Sequence, residues 1–194
     1  VITAARRGAR ALGVEFNPDM VALSRQNAVA AGVTNRATFV EGDLFMADLS
    51  QATVITMFLL PDINLKLRPK LLDLKPGTRI VSNSFTMGEW QADETARVEG
   101  ECTSWCNALF WVIPAKVAGS WKLPLGELTL QQEFQMISGT LRAGGTATPV
   151  TEGRLLGSEI SFTVGNARYT GRVDGNSMKG NVTGGAISTW SASR

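Results

Sequence analysis

From Gly119 onward the chain holds thirteen of its twenty glycines, set between short runs that alternate polar and apolar residues. Such a stretch cannot build a stable helix, because each interior glycine weakens one and the alternation has the two-residue period of a strand. Leu128-Thr-Leu-Gln-Gln-Glu-Phe134, Glu159-Ile-Ser-Phe-Thr-Val164 and Arg168-Tyr-Thr-Gly-Arg-Val173 are examples. Asp174-Gly175-Asn176 is a tight-turn signal between two runs. Gly153-Arg-Leu-Leu-Gly157 and Gly171-Arg-Val-Asp-Gly175 form a faint repeat of the hairpin kind. The spacing predicts about six short antiparallel strands, as a curled sheet or a small closed barrel, since an open sheet would leave its edges unpaired.

Upstream the pattern is different. Residues 1–9 read as the end of a helix stopped by Gly8, and Ala11 to Glu15 as a short buried strand. Asn17-Pro18 then opens a helix, with Asn as the cap and Pro at the first helical position. Met20, Val21, Leu23, Ala28 and Val29 form its apolar side, and Gly32 ends it. Ala37 to Val40 is the next strand. Thr53 to Leu60 is a continuous apolar run, as a strand covered on both faces requires. A helix follows from about Ile63 to Leu74, then a strand from Arg79 to Ser84. Glu94 to Glu99 and Ala108 to Pro114 read as an antiparallel edge. Strand and helix in alternation predict an α/β unit with a mostly parallel sheet. The expected division is therefore an α/β domain over residues 1–118 and an all-β antiparallel accessory module over 119–194.

Composition excludes several classes of function. Hydrophobic residues make up 44% and charged residues 19%, which describes a folded domain and not a disordered one. A net charge of +2 gives no strong nucleic-acid signal. No apolar run approaches the roughly 20 residues of a membrane helix. The chain has two cysteines, Cys102 and Cys106, and no histidine. Two candidate ligands fall short of a structural zinc site, so no metal is expected, and the pair reads as free thiols of a cytoplasmic protein.

Candidate site residues gather at the ends of the first two strands. Glu15 closes one strand, where a carboxylate accepts hydrogen bonds from both hydroxyls of a ribose. Asn17 follows it. In Glu41-Gly42-Asp43-Leu44-Phe45 the aspartate ends the next strand, placed to accept from an adenine amino group. The Leu44 amide can face a ring nitrogen, and Phe16 and Phe45 offer apolar walls. An acidic group at the position of Glu15 also suits a nicotinamide cofactor, whereas the Gly-Asp pair favours a different adenosine ligand.

Residues 11–90 resemble the class I S-adenosylmethionine-dependent methyltransferases. Gly13-Val14-Glu15-Phe16-Asn17-Pro18 and the helix after it are similar to that family's second motif, and Glu41-Gly42-Asp43 to its third. Thr53 to Pro61 and Leu74 to Val81 are similar to its fourth and fifth strands. Arg79-Ile-Val-Ser-Asn-Ser-Phe85 with Trp90 more distantly resembles a branch of small protein-lysine methyltransferases. The resemblance implies a Rossmann-like fold and S-adenosyl-L-methionine as cofactor, bound by Glu15, Phe16, Asn17, Gly42, Asp43, Leu44 and Phe45. The acceptor it implies is a protein amine, a lysine, although a small molecule also fits the class. Phe58, Leu60 and Asp62 are the expected acceptor-lining residues.

The family's glycine-rich first motif is not in the sequence, and its layout places that motif and the first strand just before Val1. The chain is therefore expected to be truncated, and weak or inactive toward the cofactor on its own. No catalytic residue is assigned, because a sulfonium-bound methyl needs alignment more than a general base. The fourth strand ends without an Asn/Asp-Pro-Pro-aromatic signature, which counts against an amino-methylating nucleic-acid enzyme. The five tryptophans read as core anchors. Arg154, Arg168 and Arg172 read as a basic strip or a solvated strand face. Two alternatives stay open: a nicotinamide-dependent oxidoreductase, and a small-ligand-binding β module on a degraded scaffold. A deep apolar cavity in the β module would favour the latter.

Overall fold

A computed structural model describes all 194 residues, which divide into two compact units, residues 1–51 and 52–194. The first begins with helix α1 (Ile2–Arg6) and continues through β1 (Ala11–Glu15), α2 (Pro18–Ala30) and β2 (Ala37–Glu41). Asn17 caps α2: its Oδ1 accepts from the Asp19 and Met20 amides at 2.9 and 3.4 Å, and Pro18 opens the helix. Gly32, at φ +66°, ends it. β1 and β2 pair in parallel, with Gly13 opposite Phe39. A Cβ on Gly13 would come within 2.7 Å of the Phe39 ring, so glycine here lets that ring lie across the strand. The small core consists of Ala5, Ala28, Val33 and Ala37.

The second unit opens with β3 (Val54–Met57), α3 (Pro61–Leu72) and β4 (Arg79–Asn83), followed by β5 (Glu94–Arg97) and β6 (Asn107–Val112). β3 and β4 are parallel neighbours, β6 lies antiparallel beside β4, and β5 lies antiparallel beside β6. The single, mostly parallel sheet expected from the sequence is thus a parallel pair and a separate four-stranded mixed sheet. β3 is also shorter than the apolar run. Pro61 holds Leu60 in an extended conformation (φ −59°, ψ 153°), so Phe58, Leu59 and Leu60 leave the sheet before α3 begins.

The glycine-rich region forms eight strands: β7 (Gly119–Leu123), β8 (Gly126–Glu133), β9 (Met136–Ala143), β10 (Thr146–Leu156), β11 (Glu159–Val164), β12 (Ala167–Asp174), β13 (Ser177–Thr183) and β14 (Thr189–Ser193). Each pairs antiparallel with the next, and β14 returns to β7, so the barrel is closed. Closure removes the edges that six strands in an open sheet would have left. The interior is filled. Among the side chains packed there are Trp121, Leu128, Leu155, Phe162, Tyr169 and Trp190; Phe162 stacks on Tyr169, and Trp190 meets both rings edge-on. A filled core gives no support to the small-ligand-binding reading. Several glycines serve this core and not only turns. Gly171 and Gly180 face each other across β12 and β13, and a Cβ on Gly180 would lie 1.9 Å from the Thr170 carbonyl oxygen.

Within this unit the barrel is tied to the mixed sheet. Arg154 on β10 donates to Asp93 at 2.7 Å, and the other Asp93 oxygen accepts from the Val112 amide at 2.8 Å. Arg154 is therefore not part of a free basic strip, and Arg168 lies 3.8 Å from Glu152. Buried Trp90 stacks on Phe134 at 5.9 Å, and Gln132 and Gln135 bond backbone groups of the linking segments. Burial at 0–5% confirms Trp90, Trp111, Trp121 and Trp190 as core anchors, but Trp105 is 56% exposed. Cys102 and Cys106 form a disulfide, in place of the free thiols expected. The turn between them brings their Cα atoms to 5.8 Å, within bridging reach.

Candidate functional site

The parallel register of β1 and β2 puts Glu15 opposite Glu41, so Gly42 and Asp43 continue from the neighbouring strand end. The two predicted halves of an adenosine site are therefore adjacent, at about the 4.8 Å spacing of paired strands. The Gly42 amide donates to the Glu15 carbonyl at 3.0 Å, extending the pairing to the site itself. Parallel strands present ligand groups at their carboxyl ends, and Glu15, Asp43 and exposed Phe16 all lie there.

Each polar group has a local bond as well. Glu15 Oε1 accepts from the Asn17 amide at 2.9 Å, which fixes the carboxylate and leaves Oε2 with acceptor capacity. Asp43 Oδ1 accepts from the Phe45 amide at 2.8 Å in a turn of the Asx kind. That bond orients the turn while the second oxygen keeps its lone pairs. Asn17, predicted as a ligand contact, spends its side-chain oxygen on the α2 cap. Leu44 and Phe45 are half-buried, and Phe16 is 80% exposed. A Cβ on Gly42 would meet nothing within 4 Å, so there is room beside the backbone at this point. The donor and acceptor set suits an adenosine: two carboxylates for hydroxyl and amino groups, backbone amides for ring nitrogens, and an open aromatic face.

The other predicted residues lie in the second unit. Phe58 (57% exposed) and Leu60 (62% exposed) follow β3, and exposed Asp62 sits in the first turn of α3. Phe58 is not core packing. Its ring stacks on Phe85 at 5.7 Å and meets Trp105 edge-on at 5.7 Å. Sequence reasoning missed Phe85 and Trp105 as partners of Phe58, because they lie in different loops and only the β3–β4–β6 order assembles them.

The Phe85 loop is held from beneath. Fully buried Asn64 donates from Nδ2 to the carbonyls of Phe85 and Thr86, at 3.4 and 3.1 Å. Ser82 Oγ donates to the Phe85 carbonyl at 2.7 Å. On the far side of this loop Arg68 donates to Glu89 at 3.0 Å. The Glu89 carboxyl is held below the usual carboxylate range, first by its own backbone amide and then by Arg68.

Several known proteins are similar to this chain in sequence or fold. Residues 1–94 match the family model described as the ANTKMT methyltransferase domain. A crystal structure of an RNA methyltransferase from Salinibacter ruber, in complex with S-adenosyl-L-homocysteine, shares 48% identity and a TM-score of 0.56, covering 60% of this chain and 74% of that one. The chain belongs to the class I S-adenosylmethionine-dependent methyltransferases, and the cofactor of the family is S-adenosyl-L-methionine.

Among its relatives are a protein-lysine N-methyltransferase of Saccharolobus islandicus (strain REY15A) and the adenine nucleotide translocase lysine N-methyltransferase of Mus musculus. The first is 45% identical over 102 residues, 51% of this chain and 63% of the relative. The second is 34% identical over 93 residues, 47% of this chain and 41% of the relative. The chain thus spans about two-fifths to three-fifths of the length of these curated relatives. Nothing in the comparisons supports a nicotinamide enzyme.

Proposed function

We propose that this protein methylates a lysine side chain of a protein acceptor, using S-adenosyl-L-methionine. The observation that carries the reading is the placement of Glu15 and Asp43 at adjacent carboxyl ends of a parallel strand pair, in a chain whose curated relatives are named as lysine methyltransferases. When bound, the cofactor supplies a methyl group already activated on a sulfonium. Glu15 Oε2 holds the ribose hydroxyls, and the Asn17 amide keeps that carboxylate in place. Asp43 accepts from the adenine amino group, while Gly42 and Leu44 leave backbone room and an amide for the ring. Phe16 and Phe45 cover its faces. Phe58, Leu60 and Asp62 serve the acceptor. The barrel, residues 119–194, acts as the accessory domain, fixed to the acceptor-side sheet through Asp93 and Arg154.

An RNA acceptor is the second reading, favoured by the Salinibacter neighbour, which is named as an RNA methyltransferase. The strand end Met57-Phe-Leu-Leu-Pro61 lacks the Asn/Asp-Pro-Pro-aromatic signature of amino-methylating nucleic-acid enzymes, so lysine is preferred. Calorimetry with S-adenosyl-L-homocysteine tests the cofactor site. A charge-assisted hydrogen bond contributes about 1.5–3 kcal/mol, so Glu15→Ala should weaken binding about a hundredfold. Equal affinity of the variant and the natural protein would remove Glu15 from the site.

A further inference from the structure

We propose that Phe58, Phe85 and Trp105 form an aromatic platform that binds the alkylammonium group of a lysine side chain, in its unmodified and methylated forms. The inference deepens the lysine reading and rests on it. Phe58 follows β3 and Phe85 follows β4, two parallel neighbours, and Trp105 precedes β6, which runs antiparallel to β4. All three rings therefore lie at one end of the sheet, where the parallel strands finish and ligands of α/β sheets bind. Their centroids are 5.1–5.7 Å apart.

Two of the rings stay more than half exposed. The other four tryptophans are buried, so exposure of Trp105 departs from the rule the rest of this chain follows. Exposing this much aromatic surface forgoes stabilisation that burial would give. The backbone is unusual as well. Trp105 has φ +58° and Ser84 has φ +61°, both in the left-handed region, which is a real outlier for a bulky side chain. The Cys102–Cys106 disulfide closes the turn that carries Trp105, and Cys106 itself is buried. The Ser84 amide donates to the Asn107 carbonyl at 2.8 Å, which joins the Phe85 loop to the start of β6. The platform is thus held by β4, β6, Asn64 and a covalent link before any ligand arrives.

Charge decides what the platform takes. The segment leading from β5 into Trp105 carries two carboxylates, Glu99 and Glu101, against one guanidinium, Arg97, while Glu94 pairs with Phe110 further along β6. An exposed aromatic face beside net negative charge attracts cations and repels phosphate. A stacked nucleobase would also fit the rings, but its backbone would not suit that charge.

The test is a titration of the intact protein with Nα-acetyl-Nε-trimethyl-lysine and with its neutral analogue, in which carbon replaces the charged nitrogen. Binding is followed through the indole N–H resonances of the protein. The platform predicts that the cation binds about three- to tenfold tighter than the neutral analogue, with the Trp105 resonance moving most. Trp105→Ala should abolish this preference and Trp105→Phe keep most of it, while both retain the natural far-ultraviolet circular dichroism. Equal binding of the two probes, absence of binding, or a preference that survives Trp105→Ala would overturn the assignment. So would tighter binding of a short single-stranded RNA, which would make the rings a base-stacking surface. Binding of S-adenosyl-L-homocysteine in the same samples keeps the two questions apart. Cofactor binding without a cation preference removes the platform alone, and a cation preference without cofactor binding leaves the platform standing and counts against the Glu15–Asp43 cofactor site in this chain.

Discussion

Replacing Arg154 by methionine tests whether the barrel and the mixed sheet fold as one unit. The Asp93 side chain is only 2% exposed, and its two oxygens are satisfied by Arg154 at 2.7 Å and the Val112 amide at 2.8 Å. Methionine keeps most of the arginine stem but leaves a buried carboxylate with a single backbone donor. Breaking a fully buried pair costs about 3–5 kcal/mol. The Arg154 side chain is 45% exposed, so water screens the pair and a loss of about 2 kcal/mol is expected. For a protein of this size that lowers the melting temperature by roughly 4–8 °C. Asp93→Asn should cost less, about 1 kcal/mol, because the amide oxygen can still accept from Val112. The assay is urea denaturation of the two single variants and the double variant, read by far-ultraviolet circular dichroism. The double variant should be no less stable than Arg154→Met, since the stranded charge has gone. A loss below about 0.5 kcal/mol for Arg154→Met, or strict additivity in the double variant, would refute the reasoning.

Gly180→Ala should destabilise the barrel by about 2–3 kcal/mol, since the new Cβ meets backbone of β12 and not a movable side chain; Gly175→Ala, in open space at a hairpin turn, should cost about 1 kcal/mol in the same denaturation assay. Tyr169 is the single tyrosine of the chain, and burial raises its hydroxyl above the usual value. Ultraviolet absorbance should therefore show tyrosinate only above the ordinary range near pH 10 while the fold persists. Because the folded value is the higher one, its contribution to stability is complete below about pH 10 and is lost as pH rises through the raised value. Tyrosinate appearing in the folded protein at or below the ordinary range would contradict the buried placement.

The cofactor half was legible because its signals are local. Asn17-Pro18 is a helix start in any context, and an acidic residue at a strand end two residues earlier can only point beyond the sheet. The same nearness misled at Asn17, whose side chain is used up by the cap it announces. The barrel was recognised as β structure but undercounted. β8, β9 and β10 are long, and inward glycines such as Gly139 and Gly153 look like turn punctuation although they lie within strands. The aromatic platform was not legible at all. Phe85 and Trp105 come together through strand order, and the disulfide that helps hold Trp105 spans a four-residue separation that sequence alone reads as two thiols.

The barrel's meander has a consequence for synthesis. Every barrel strand after β7 finds a partner in the segment made just before it, so most of the barrel can zip up as it emerges. Closure cannot: β7 pairs with β14 through Lys122 and Ser193, and Arg194 reaches back to the Ala118 and Lys116 carbonyls while lying over Trp121. At about 5–20 residues per second the open ribbon must wait several seconds on the ribosome for its final strand. During that interval β7 offers an unpaired edge beside a half-covered apolar face. Loss of β14 would make that transient edge permanent, so a chain cut near Thr189 should aggregate instead of being merely less active.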